Sequence, residues 1–335
     1  MGRGGAQDGQ QDAATATPTP ALRNTAVVFV KPHANTAKVR EYVGSALREM
    51  VPGVEVSAEF DVAAEDVDRK EMIDRHYYSI ASKATLLQPD RVGVPEGAFQ
   101  EFFGEAWEDV LDDGRASNAL DACREWKIDA DAIDGIWREA ERDGKVVKLG
   151  GGFYCGLLRP PEDGGFVPRP LYVFNAFFMR MRSKFVQPGT SVHAYVISWD
   201  PARLSWADFR ARVLGPTDPA RAPRGSIRRT LYGGYRKFGL EARPDRGDNG
   251  VHASASPLEG MAERANWAGV PPWKGEFGRA LLERGMRRGQ IEELSRDPRV
   301  RLPGGSGKMG SVFDAVEDLD APECLERLLE IKDLM

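Results

Sequence analysis

Apolar residues fall in runs whose periods assign elements along most of the chain. Ala26-Val-Val-Phe-Val30 is apolar without a break, the pattern of a short buried strand, and Lys31-Pro32 ends it. Lys38 to Met50 places Val39, Tyr42, Val43, Ala46 and Leu47 on one face of a helix. Val54 to Val62 alternates and predicts a second strand, and Ala64 to Ala84 reads as helical. Val192 to Trp199 is a strong strand. Ser205 to Leu214 reads as a helix capped by Ser205 and stopped by Gly215. Pro257 to Trp267 reads as another helix, with Pro257 in its first turn and Ser254 or Ser256 as the cap.

Between these segments the pattern changes. From Phe99 to Leu111 the aromatic and aliphatic positions keep helical spacing. Ser117 is placed to cap a second helix with Leu120, Cys123 and Trp126 inward, and Ile133 and Trp137 mark a third. Two strand-like runs flank Gly150-Gly-Gly152 and predict a β-hairpin. Pro170 to Lys184 mixes its spacings and is assigned to a helix. The expected organisation is a disordered, Gly/Gln/Ala/Thr/Pro-rich leader over 1–24, a main domain from 25–85 and 168–267, a mainly helical insertion over 86–167, and a helical extension over 268–335. Gly304 to Gly310 looks like a phosphate-binding loop, but Met309 follows Lys308 where Ser or Thr is required, so it is read as an ordinary loop.

Composition narrows the function classes. The 335 residues carry a net charge of −5, and the pI near 5.6 argues against a specific nucleic-acid binder. No apolar run is long enough to span a bilayer, so no membrane partner is expected. Three scattered cysteines show neither metal-ligand spacing nor a disulfide framework, which fits a reducing compartment. The expected location is cytoplasmic, with an organelle as the alternative, since an Ala/Thr-rich leader also suits targeting. Charge is unevenly spread: Glu96 to Asp143 holds fifteen Asp/Glu against five Lys/Arg, whereas Pro201 to Arg246 holds eleven Lys/Arg against four Asp/Glu. The basic section suits a polyanion such as a phosphate chain.

His252 lies beside that section, among small residues just ahead of a helix N-terminus, whose free N–H groups favour phosphate. A neutral imidazole is a nucleophile near pH 7 when one nitrogen is free and an acceptor holds the other, and Glu263 is a carboxylate of the right type. Lys31, Thr217 and Arg228 are suitable groups around a transferring phosphoryl.

Several motifs occur in order: Val30-Lys-Pro32, His76-Tyr77, Leu214-Gly-Pro-Thr-Asp-Pro219, Pro223-Arg-Gly-Ser-Ile-Arg228 and Asn249-Gly-Val-His-Ala-Ser254. Together they resemble nucleoside diphosphate kinase over about half of the chain. The resemblance implies an α/β ferredoxin-like sandwich with a four-stranded antiparallel sheet. It implies transfer of a γ-phosphate from ATP or another nucleoside triphosphate to a nucleoside diphosphate, through a phosphohistidine, with Mg²⁺ carried by the nucleotide. Residue by residue, it makes His252 the nucleophile and Glu263 the group orienting it. Lys31 and Asn249 would touch sugar and phosphates, Thr217 and Arg228 would hold phosphates, and Tyr77 would line the site. The family's helix arginine falls at Ala211, so Arg210 and Arg212 are the two candidates to replace it. The family's aspartate falls at Ala255. The segment between Arg228 and Asn249 is longer than in the family, which argues against its hexamer while leaving a homo-oligomer open. A non-catalytic nucleotide-binding or interaction module built on the same fold is the alternative function.

Overall fold

The computed structural model describes residues 22–150, 152–160, 169–303 and 309–334. Its strands are β1 (Asn24–Val30), β2 (Glu55–Ala63), β3 (Ala116–Asn118), β4 (Val146–Gly150), β5 (Phe153–Leu158), β6 (Leu171–Phe174), β7 (Ser191–Trp199), β8 (Val251–Ala253), β9 (Arg299–Arg301) and β10 (Met309–Ser311). The fold is mixed α/β. A four-stranded sheet of order β2-β7-β1-β8, antiparallel throughout, forms its centre.

β1 is continuously apolar because both faces of the sheet are covered. Val28 and Val30 pack with the helix Ala37–Met50 and with Ile227 and Leu231, while Val27 and Phe29 pack with Ile73, Phe185 and Trp267. Thr36 caps the helix Ala37–Met50 by accepting from the Val39 amide at 3.2 Å. The helix Pro257–Ala268, capped by Ser256, crosses β1 at Gly260. A Cβ there would sit 2.1 Å from the Thr25 carbonyl oxygen, so only glycine allows this approach. Glu263 follows one turn later and is thereby set against β8.

The insertion differs from expectation. It is an α/β module with its own sheet, of order β3-β6-β5-β4, in which β3 and β6 run parallel. Leu171–Phe174, assigned to a helix from sequence, is the strand β6. Leu171 and Val173 enter one apolar cluster and Tyr172 and Phe174 the other, a period of two that burial on both faces disguises. The module therefore extends past residue 167, and the helix begins only at Phe177, after Asn175 at φ 46°. Asn118, not Ser117, caps the following helix, accepting from Asp121 N at 2.8 Å. The predicted helix over 64–84 is broken by Glu71 at φ 51°, which separates Ala64–Arg69 from Met72–His76. The buried Asp74 carboxylate and the Arg182 guanidinium meet at 2.9 Å across the base of the module.

The C-terminal segment carries the helices Glu276–Glu283, Arg288–Leu294, Val312–Val316 and Ala321–Lys332 and the β9–β10 hairpin. Its core shares Leu258 and Met261 with the Glu263 helix, so it is part of the same body. Residues 22–24 of the expected leader are among the described residues and are tied to the body. Asn24 opens β1 and donates to Asp320 Oδ1 at 2.7 Å, and the Arg23 amide donates to Glu276 Oε1 at 3.2 Å. The rest of the leader, 1–21, and most of the loop resembling a phosphate-binding motif, 304–308, lie outside the described residues, as does Gly151 of the hairpin turn. Among the described residues, no helix is long and apolar enough to cross a membrane.

Candidate active site

β8 is an edge strand only three residues long, and its middle residue is His252. Pairing opposite Phe29 turns the imidazole to the face where Phe29 stacks on it, with ring centroids 4.6 Å apart. His252 Nε2 lies 2.8 Å from Glu263 Oε1. Ser254 Oγ donates to Glu263 Oε2 at 2.6 Å and accepts from the Val27 amide at 2.9 Å. That serine locks the end of β8 to β1 and holds the carboxylate at the same time. With Nε2 donating to Glu263, Nδ1 is the nitrogen left with a lone pair.

Three cations act on this ring. Burial pushes the His252 pKa well below the ordinary histidine value, and Lys31, Arg228 and Arg210 push it in the same direction. The imidazole is therefore neutral at pH 7. Arg228 is buried. Its Nε and one terminal nitrogen donate to the Val251 carbonyl at 3.1 and 2.9 Å, and the other donates to the Gly215 carbonyl at 2.8 Å. It fixes the Leu214–Gly215 turn to β8 and keeps its charge without an acidic partner among the described residues. Burial and Arg210 lower its pKa to about 10. Burial and Arg228 lower Lys31 to about 8, against a smaller opposing pull from Asp248.

Of the two arginine candidates, the fold brings Arg210 to the site and turns Arg212 away. Arg212 is 76% exposed and pairs with Asp208 at 3.1 Å. Arg210 reaches the extension and bonds Glu317 Oε1 at 2.8 Å and Asp318 Oδ1 at 2.6 Å. Phe209–Leu214 is a π-helical turn, and its wider winding sets the phase that separates the two side chains. Asn249 is buried. Its Nδ2 donates to the Thr217 carbonyl at 3.3 Å, and its Oδ1 has no partner among the described residues. Thr217 is exposed beside it, and Tyr77 packs edge-on against His76. Burial and Glu263 raise the Tyr77 pKa to about 12, so its hydroxyl stays protonated.

A cavity of about 800 Å³ opens beside His252 and Tyr77, and Glu259, Glu292, Asp297 and Asp314 are among its walls. Sequence reasoning did not place these carboxylates there. Nothing in their local pattern marks Glu292, Asp297 or Asp314, because only the packing of the extension brings them in. Glu259 was within reach: it stands at the third helical position after the Ser256 cap. Its Oε2 accepts from the Ala255 amide at 3.0 Å, where the resembled family carries an aspartate. Burial and Glu263 both raise its pKa. His76 was also overlooked, although it precedes Tyr77 in the motif. Its Nδ1 lies 3.5 Å from Glu263 Oε1 and accepts from Trp267 Nε1–H at 3.2 Å.

No family model and no curated protein matches the chain. Among solved structures, it is similar to an apo nucleoside diphosphate kinase from Encephalitozoon cuniculi, at 13% identity over 74% of this chain and 90% of that one, with a TM-score of 0.35. It is also similar to an NDP kinase from Pyrobaculum aerophilum, at 17% identity over 73% of this chain and 95% of that one, with a TM-score of 0.34. Likeness at these scores carries no weight for the chemistry, which stands on the site itself.

Proposed function

We propose that the chain is a nucleoside diphosphate kinase working through a phosphohistidine on His252. The observation that carries this reading is the setting of one ring: Glu263 takes Nε2 at 2.8 Å, and the charges of Lys31, Arg228 and Arg210 act on the same imidazole. The strand order β2-β7-β1-β8 supports a ferredoxin-like arrangement under that site.

In the first half-reaction Nδ1 attacks the γ-phosphorus of a Mg²⁺-bound nucleoside triphosphate. The N–P bond forms as the bond to the β–γ bridging oxygen breaks, and the diphosphate leaves with that oxygen. Burial raises the Glu263 pKa to about 7. The ring becomes a phosphoimidazolium whose Nε2–H stays on Glu263, and that positive charge favours the ionised carboxylate, which stabilises it in turn. A terminal oxygen of a second nucleoside diphosphate then attacks the phosphorus, and the neutral imidazole returns. Lys31 and Arg228 offset charge on the non-reacting oxygens, Asn249 and Thr217 orient sugar and phosphates, and Tyr77 walls the site.

The test is incubation of the purified protein with γ-labelled ATP and Mg²⁺, followed by a GDP chase. Label that is alkali-stable and acid-labile, leaves as GTP, and is absent from His252→Ala is the expected result. A folded wild-type protein that binds ATP yet takes no label would refute the kinase.

One observation favours a second reading. Glu317 and Asp318 already occupy Arg210, as phosphate oxygens would. A non-catalytic nucleotide-binding module would tolerate that, and nucleotide affinity unchanged by His252→Ala in an unlabelled protein would select it.

A further inference from the structure

The inner side of the nucleophile carries a second convergence. One potential ligand atom from each of His76, His252 and Glu263 lies within 4.8 Å of the other two, with Glu263 Oε1 at 3.5 Å from His76 Nδ1 and 2.8 Å from His252 Nε2. His76 is 2% exposed, Glu263 8% and His252 17%, so the trio is enclosed but opens on the cavity. His76 Nδ1 accepts from Trp267 Nε1–H, so it bears no proton. That nitrogen, with its lone pair on the Trp267 N–H, also lies 3.5 Å from Glu263 Oε1. Two electron-rich atoms held together in a buried place repel, and a cation between them would remove that repulsion.

We propose that His76, His252 and Glu263 form a zinc site, in which the metal replaces the Nε2 proton of His252. Two imidazoles and one carboxylate make a donor set for zinc rather than magnesium, which prefers oxygen alone. Tetrahedral zinc with bonds of about 2.0–2.2 Å spaces its donors roughly 3.3 Å apart. The His76–Glu263 distance of 3.5 Å is already close to that. The His252–Glu263 distance has to widen by about half an ångström to reach the same spacing. Ser254 on Glu263 Oε2 supplies the outer hydrogen bond that steadies a ligating carboxylate. The fourth position faces the cavity and takes water. Trp267 gives up its bond to His76 Nδ1, which limits the affinity. The proton displaced from Nε2 moves to Nδ1 of the same neutral imidazole, so the ring binds zinc without releasing it.

The consequence for chemistry rests on the proposed kinase reading. Zinc on Nε2 draws electron density from the ring and occupies the carboxylate that would stabilise a phosphoimidazolium. The zinc-loaded protein is then closed to phosphorylation, although cysteine and histidine spacing along the chain gives no sign of a metal site.

The full chain, stripped with a chelator, is titrated with Zn²⁺ against a chromogenic chelator and separately with Co²⁺. One equivalent is expected, with the visible bands of four-coordinate cobalt, and at least tenfold weaker zinc binding in His76→Gln and in His252→Ala. Stoichiometric zinc should also block labelling by γ-labelled ATP in excess Mg²⁺, and a zinc-selective chelator should restore it. Wild-type protein showing no stoichiometric zinc and no four-coordinate cobalt spectrum overturns the site, whatever the variants do. Labelling that proceeds with zinc bound overturns the inhibitory role. Zinc binding in a protein that is never labelled leaves the site standing and removes the kinase.

Discussion

The two flanks of His252 differ in charge and in burial. On one, Lys31 and Arg228 are largely withdrawn from solvent and Arg210 is half-buried. On the other, the cavity wall carries Glu259, Glu292, Asp297 and Asp314, of which Glu292 and Asp314 are exposed. Buried charges act through a low dielectric and are weakly screened, whereas exposed ones are damped by water and salt. The depressed His252 pKa owes most to burial, and Lys31, Arg228 and Arg210 act on it in the same direction. On the proposed kinase reading, a phosphate chain belongs on the first flank. The second suits neutral or cationic groups, and it is the flank from which a metal ion would arrive.

The comparison breaks most visibly at Arg228. Arg228→Met should lower kcat by about 10²-fold, the scale of losing one preorganised donor to a developing oxyanion. Arg228→Lys should recover only part of this, because an ammonium cannot hold the Gly215 and Val251 carbonyls together. Steady-state kinetics of both variants, with circular dichroism to verify folding, decide the point. An unaffected kcat in Arg228→Met would put the phosphate elsewhere.

Lys31 sharpens it through pH. Its folded-state pKa of about 8 lies below the usual lysine value, so its charge is lost from the free protein as pH rises past about 8. kcat/KM for the nucleotide should then fall about tenfold per pH unit on that limb. Bound phosphate raises the lysine pKa again, so kcat should hold to higher pH. The sign for stability is the reverse: the charged lysine costs stability below about pH 8, and that cost disappears as pH rises. A pH profile without an alkaline limb in kcat/KM would remove Lys31 from the phosphate site.

The smallest effect is expected on the acidic flank. Glu292→Gln with Asp314→Asn should raise kcat/KM by less than about fivefold, since exposed charge interactions are worth ~0–1 kcal/mol. A change larger than that of Arg228→Met would reverse the ranking of the two flanks.

Much of the cation flank was legible in the chain. β1 announces itself as an unbroken apolar run, and Lys31 ends it. His252, Arg228 and Asn249 lie in motifs whose small neighbours fix the local backbone. The acidic flank was not legible, because Glu292, Asp297 and Asp314 reach the cavity only when the extension packs on Leu258 and Met261. The choice between Arg210 and Arg212 was hidden for a local reason: a π turn changes the angle between successive side chains, and no residue pattern marks it. β6 was missed because a strand buried on both faces lacks polar alternation.

The Asp74–Arg182 clasp joins residues 108 positions apart. Once it closes, everything between is a loop with its ends tied, and the entropy of tying them grows only logarithmically, by roughly 0.6 kcal/mol for each doubling in length. The central sheet is therefore almost indifferent to how much chain hangs from that clasp. Beyond His76 and Tyr77, which pack at the site, a module with its own two-faced sheet has room there to be enlarged, trimmed or exchanged while the histidine on β8 keeps its setting.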